Sequence, residues 1–302
     1  MQFGASRGRY GFMEFWFVLA ILTAFLWGFA NIFVKLSATK LGVTRIAGLV
    51  VVIESMMYFA GFFFWHNNAA IDLEYGVLAA VSAFVGVVAY LCFFESVVDG
   101  QVAIVGTISA AYPCLTVIGA LALLSESLTV MQLVGIAAII CGIVALSYEQ
   151  NPHSQYSLPR RSLSFALLAL ALWGFWSLTA KIAVSKIGPG NVFGFYVISS
   201  VTGPLADLLC RRIRPGPLNI ERPSWVSWVY GAVGLALNVS GTMVFSFALS
   251  MGLASLVVPI SSAYPLVTVT VALLLLGEKL NRLQLTALVC VITGLLMIAI
   301  IG

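Results

Sequence analysis

The chain has 302 residues, of which 61% are hydrophobic and 9% charged, and its mean hydropathy is +1.07. Soluble proteins carry about 25% charged residues, so this chain cannot clothe a water-facing surface and the lipid bilayer must be its solvent. The formal net charge of +4 is small and scattered over loops, which excludes a basic stripe for nucleic acid.

Taken in order, ten apolar stretches can cross about 30 Å of hydrocarbon as helices. They fall at 15–37, 45–65, 75–98, 102–124, 129–147, 162–185, 191–210, 225–250, 254–276 and 281–301. No small-residue cleavage site follows the first, which reads as a retained helix behind an N-terminal tail, 1–14. The alternating segments of a membrane β-barrel are absent. Trp16, Trp65, Tyr75, Tyr148, Trp225 and Trp228 sit at predicted helix ends, where an amphipathic ring meets the headgroups. The polar stretch 149–161 reads as a linker between a first unit, 15–148, and a second, 162–302. Cys92, Cys114, Cys141, Cys210 and Cys290 lie in apolar runs without C-x-x-C spacing and read as small packing residues.

The two units are copies. Residues 105–146 align with 257–298 at an offset of 152 without a gap, with 18 of 42 positions identical. Leu26-Trp27-Gly28-Phe29 with Lys35 recurs as Leu172-Trp173-Gly174-Phe175 with Lys181, at an offset of 146. Five helices per unit is an odd number, so homologous units must sit upside down relative to one another in the membrane. The fold class expected is therefore an all-α integral membrane protein of ten helices in two inverted five-helix repeats, which points to a transporter. Lys40, Arg45, Arg160, Arg161, Arg211, Arg212, Arg214, Arg222, Lys279 and Arg282 fall on one side and Arg7, Arg9 and Lys186 on the other. The positive-inside rule then places both termini outside the cell.

Pro113 and Pro265 occupy matching positions near the centres of the fourth and ninth spans. A proline there removes one backbone donor and clashes with the carbonyl four residues earlier, here Ser109 and Ser261. Two kinks at mid-membrane, beside Tyr112 and Tyr264, would free acceptors that only protein, water or a ligand can satisfy. Patching by the serine hydroxyls is the structural alternative. Glu126 and Glu278 lie in the following turns; Thr129-x-x-Gln132 and Asn281-x-x-Gln284 read as capping boxes, so this motif reads as architectural, setting the starts of helices five and ten.

Glu54 lies near the middle of the second span. A carboxylate there costs at least ~2.5 kcal/mol, so it should face the bundle interior, be protonated or pair with a base such as Lys35. Glu95 and Asp207 lie nearer helix ends and can reach water. Asn31 and Asn238 could bond a substrate or glue helices together. Lys35 and Lys181, related by the repeat, could snorkel to the interface or bind an anionic group. Trp27-Gly28 and Trp173-Gly174 read as packing pairs. His66 and His153 fall in loops, so neither a metal site nor a catalytic triad can be assembled; no P-loop occurs, and no cofactor is expected.

These features together resemble the EamA-type branch of the drug/metabolite transporter superfamily: Trp-Gly early in each half, and Ser-x-x-Tyr-Pro followed by Leu-Leu-Gly-Glu-Lys-Leu before a glycine-bearing last helix. The resemblance spans the chain and is strongest over 257–298. It implies a carrier with a central cavity, lined here by Tyr90, Ser109, Tyr112, Asn238, Ser261 and Tyr264, and relatives that export amino acids or other small metabolites. It also implies cytosolic termini and a basic loop after helix two, whereas 66–74 carries no Lys or Arg.

The expected function is secondary-active transport, by alternating access, of a small polar or amphipathic metabolite. The solute is amino-acid-like and the direction export, from a plasma-membrane monomer or homodimer, with Glu54 for ion coupling, to protons, or charge pairing. A nucleotide-sugar or phosphorylated-metabolite antiporter is the alternative within transport, with Lys35 and Lys181 as its cations. A membrane enzyme lacks a catalytic cluster, and a receptor or scaffold subunit has no obvious use for inverted duplication.

Overall fold

The computed structural model describes residues 9–68, 71–99, 108–147, 159–198, 223–267, 270–271 and 282–301. Every regular element among them is helical, as a bilayer demands when each backbone N–H and C=O must find its partner within the segment. The helices are α1 (Arg9–Trp65), α2 (Leu73–Asp99), α3 (Tyr112–Leu123), α4 (Val130–Ser147), α5 (Arg160–Ile187), α6 (Trp225–Met251), α7 (Ala254–Ser261) and α8 (Arg282–Ile301). A further helical run covers 189–198. Among the described residues five apolar segments reach membrane-crossing length: Phe15–Phe33, Gly48–Trp65, Leu73–Phe93, Arg160–Ile187 and Trp225–Met251. The linker 149–158, most of the expected seventh span, Asp207, Glu278, Lys279 and Asn281 lie outside the described residues.

Helix α1 begins at Arg9, inside the expected tail, and has 57 residues. Straight, at a rise of 1.5 Å per residue, it would be roughly 85 Å long. Its contacts show that it doubles back. Along α6, Trp16 packs on Gly252, Trp27 on Gly241, and Leu41 and Leu49 both on Gly231, while Gly61 lies beside Met243. The ring of Trp65 is 5.8 Å from that of Phe247. The chain thus runs down α6 to Leu41 and returns along it from Leu49. The gap expected at 38–44 is a reversal within helical backbone, not a non-helical loop, and the stretch contains no proline.

The expected fourth and ninth spans are each broken rather than kinked within a continuous helix. Ala111 N–H donates to Ile108 O at 3.2 Å and Cys114 N–H to Ala111 O at 3.0 Å. In the second copy Ala263 N–H donates to Ile260 O at 3.1 Å and Leu266 N–H to Ala263 O at 2.9 Å. These three-residue bonds tighten the chain into a turn. Helix α3 then restarts with Pro113 in its first turn, where a missing N–H costs nothing. Helix resumes likewise at Tyr264. The physical reason for the correction is that a helix start, unlike a helix interior, has no hydrogen bond for proline to remove. Pro259, inside α7, has threonine as its counterpart in the first copy.

The duplicated motifs are one another's contacts. Trp27 of the first unit packs on Tyr264 of the second, with ring centroids 6.4 Å apart. Trp173 of the second packs on Tyr112 of the first at 6.0 Å. A Cβ on Gly28 would stand 2.6 Å from Val267 Cβ and 3.0 Å from Tyr264 O. On Gly174 it would stand 2.9 Å from Leu115 Cβ and 3.6 Å from Tyr112 O. Each contact has its counterpart with the units exchanged. The same holds for α4 against α8, where Gly135 abuts Gly294 and Gly142 abuts Ala287, small residues that let two backbones approach.

Charged side chains secure the α6–α7 junction. The Glu126 carboxylate accepts from Ala254 N–H at 2.8 Å, Ser255 N–H at 2.9 Å and Ser255 Oγ at 2.6 Å. Lys181 Nζ donates to Leu249 O at 2.7 Å and Gly252 O at 2.8 Å. An anion thus caps the start of α7 and a cation the end of α6, each at the favourable pole of the helix dipole. The architectural reading of Glu126 is corrected in its target, since it caps α7 of the other unit. Helix α4 starts on its own capping box instead: Thr129 N–H donates to Gln132 Oε1 at 2.9 Å and Gln132 N–H to Thr129 Oγ1 at 3.2 Å.

Candidate functional site

Between the units lies a cavity of about 440 Å³. It is lined from both arms of α1 (Trp27, Asn31, Glu54, Tyr58), α2 (Ala83, Gly86, Val87, Tyr90, Phe93) and α5 (Trp173, Trp176). Tyr196, Asn238 and Thr242, the Ser109–Tyr112 break and Tyr264-Pro265 complete the wall. Among the described residues none of α4 or α8 lines it; these two helices pack against each other. The two helix breaks meet beside the cavity, where Ser262 of the second bonds Tyr112 of the first.

Of the six residues expected to bind substrate, Tyr90, Ser109, Tyr112, Asn238 and Tyr264 line the cavity. Ser261 does not: it is fully buried, and its hydroxyl donates to Ala20 O at 3.3 Å. This corrects its expected place, because the neighbouring arm of α1 takes up the hydroxyl. Ser109, its counterpart, borders the cavity with a buried hydroxyl that has no partner among the described residues. Tyr112 OH accepts from Ser262 Oγ at 2.6 Å. The residue that would mirror this donor beside Tyr264 is Ala110. Pro265 lines the cavity and Pro113 is buried in α3.

Glu54 is the one charged side chain among the described lining residues. No described residue ion-pairs with it or hydrogen-bonds to it. Lys181, a candidate for charge pairing, is held instead by the two carbonyls at the end of α6 and is absent from the lining. The negative pole at the end of α6 explains that preference. The Lys35 side chain lies outside the described residues. Glu95 pairs at its helix end with Arg161, Oε2 to Nη2 at 2.8 Å.

Sequence reasoning missed Tyr58, Trp176, Tyr196 and Thr242 as lining residues, and took Trp27 and Trp173 for packing alone. Tyr58 had a signal, since it follows Glu54 by four residues and so shares its helix face. Its ring meets Tyr196 edge-on at 5.4 Å. Trp176 stacks on Phe245 at 5.4 Å, and Tyr90 meets Trp173 at 5.6 Å while accepting from Asn238 Nδ2 at 3.1 Å. The rings fix one another, so the wall is preformed. Also missed was a polar clamp outside the cavity lining, where Asn191 Nδ2 donates to Asn67 Oδ1 at 2.7 Å. Among the described residues no group of three His, Cys, Asp or Glu could hold a metal.

The model of the EamA-like transporter family matches residues 14–148 and again 160–300. An uncharacterized protein of Methanocaldococcus jannaschii is 29% identical over 139 residues, 46% of this chain and 96% of that protein. That relative has the length of a single unit. A solved crystal structure superposes with a TM-score of 0.76 over 95% of this chain and 99% of its own, at 14% identity, which establishes likeness of fold.

Proposed function

The chain belongs to the EamA-like transporter family, and from that premise we propose a secondary-active carrier that moves a small amphipathic metabolite by alternating access. It is a multi-pass membrane protein, and its family consists of transporters rather than enzymes. The solute is amino-acid-like in size, the direction export, and the path the cavity between the units. The observation that carries this reading is the cavity itself, walled by both units and bordered by a broken helix from each. Backbone that leaves helical geometry at membrane depth is tolerated where it is buried in protein or faces a water-filled space, and carriers place their sites there.

Ten spans in two inverted repeats make sense of the reciprocal contacts. Exchange of the units maps Trp27–Tyr264 onto Trp173–Tyr112, and Gly135–Gly294 onto Gly142–Ala287. Alternate crossing also puts Trp16, Trp65, Glu126, Lys181 and Gly252 at one face, and Glu95 with Arg161 at the other, in keeping with their contacts. Rocking of one unit against the other about the Tyr-Pro breaks would open the cavity to each side in turn. Glu54 is the residue for proton coupling or charge pairing.

Proteoliposomes loaded with a mixed pool of labelled amino acids, with and without a proton gradient, test this. Gradient-driven flux that fades in Glu54→Gln supports a proton-coupled carrier. Flux that ignores the gradient removes the coupling role, and absence of flux of every solute from folded protein overturns the carrier reading.

A further inference from the structure

We infer that the cavity selects solutes bearing an organic cation, an ammonium or quaternary ammonium attached to an apolar body, and rejects anions. This deepens the proposed function and rests on it, because it names the substrate class of the same cavity.

The argument begins from charge. Glu54 is the lone carboxylic acid among the described lining residues, and no Lys or Arg is among them. A carboxylate removed from water and left unpaired is unfavourable, and a neutralising partner relieves that cost. No described side chain supplies the partner. Lys181 is engaged by Leu249 O and Gly252 O, and the Lys35 side chain lies outside the described residues. A solute cation is therefore the missing half of the pair. A phosphate or carboxylate solute that lacks an ammonium group would meet Glu54 with like charge alone.

The second observation is the wall. Of the described lining residues Trp27, Trp173 and Trp176 are indoles, and Tyr58, Tyr90 and Tyr112 are phenols that stand with them. Aromatic faces carry negative quadrupole potential, and Trp and Tyr attract alkylammonium groups most strongly where water is excluded. The rings brace one another edge-on and stacked, as in Tyr90–Trp173 at 5.6 Å and Tyr58–Tyr196 at 5.4 Å, so little ordering is needed on binding. The same faces accept the apolar body of the solute. At about 440 Å³ the cavity lies within the roughly 300–1,000 Å³ range of small-molecule sites. Charge and wall thus select for the same class independently.

The test uses full-length protein in proteoliposomes and three labelled solutes that share a phenyl ring. They are trimethyl(phenethyl)ammonium, whose fixed charge prevents passive leak, zwitterionic phenylalanine, and anionic phenylpropionate. Quenching of wall tryptophan fluorescence measures binding beside flux. The expected ranking is cation over zwitterion by at least tenfold, no measurable transport of the anion, and a tenfold or greater loss for the cation in Glu54→Gln. The ranking in the native protein stands as a test even where the variant fails to fold. Equal or better transport of phenylalanine, or any saturable transport of the anion, overturns the cation inference and leaves the carrier standing. Failure of all three to bind or move in folded protein removes the cation inference, and failure of the mixed amino-acid pool as well removes the carrier reading with it.

Discussion

The segment leading into Tyr112-Pro113 and the one leading into Tyr264-Pro265 are broken at matching alanines, Ala111 and Ala263, by the same pair of short backbone bonds. Their side chains part company. Ser261 is satisfied by Ala20 O, whereas Ser109 borders the cavity without a partner among the described residues. Tyr112 receives a bond from Ser262, and Ala110 offers none at the mirrored place beside Tyr264. The difference teaches where symmetry is imposed. Backbone breaks and interlocking rings belong to the architecture that both units must share. A small solute has no twofold axis, so the side chains around it are free to differ between units.

The largest effect expected from breaking this comparison is at the cap of the second segment. Glu126→Ala removes three hydrogen bonds from the start of α7. It should cost about 2–3 kcal/mol, read as a lowered unfolding temperature in detergent, with Glu126→Gln intermediate. Next come the reciprocal glycines. Gly28→Ala and Gly174→Ala should each cost about 1–3 kcal/mol by overpacking, with Gly28→Ala the worse because its new Cβ would face Val267 Cβ at 2.6 Å against 2.9 Å for Leu115 Cβ. A silent substitution at either would mean that the paired contacts are not equivalent.

The serines sharpen the contrast further. Ser261→Ala should lose about 1 kcal/mol with its bond to Ala20 O. Ser109→Ala should leave the unfolding temperature unchanged or higher, since it deletes an unpaired buried hydroxyl, while altering solute affinity in the fluorescence titration. The smallest effect is a gain. Ser125 follows α3 with φ of 54°, and its counterpart is Gly277. Ser125→Gly should stabilise by about 0.4–1 kcal/mol, because glycine adopts that conformation without strain.

Much of the candidate site was legible in the sequence. Tyr-Pro at matching depth marked the breaks, and Glu54 stood out because a mid-span carboxylate needs a reason. The packing of Trp27-Gly28 was also readable, though its partner was not, since a ring beside a glycine says nothing about which distant helix fills the notch. Lys181 and Glu126 were misjudged in target for the same reason. Their partners lie 68 and 128 residues away on other helices, for Lys181 within its own unit and for Glu126 in the other.

By itself the sequence determined membrane residence, the all-helical class and the duplicated plan. These follow from hydropathy and self-alignment, which are properties of the chain read as a line. Which faces look inward was decided only by tertiary structure. Spans that are apolar all round carry no stripe to mark the buried side, so Trp176, Tyr196 and Thr242 could reveal themselves as cavity wall only once the helices had packed.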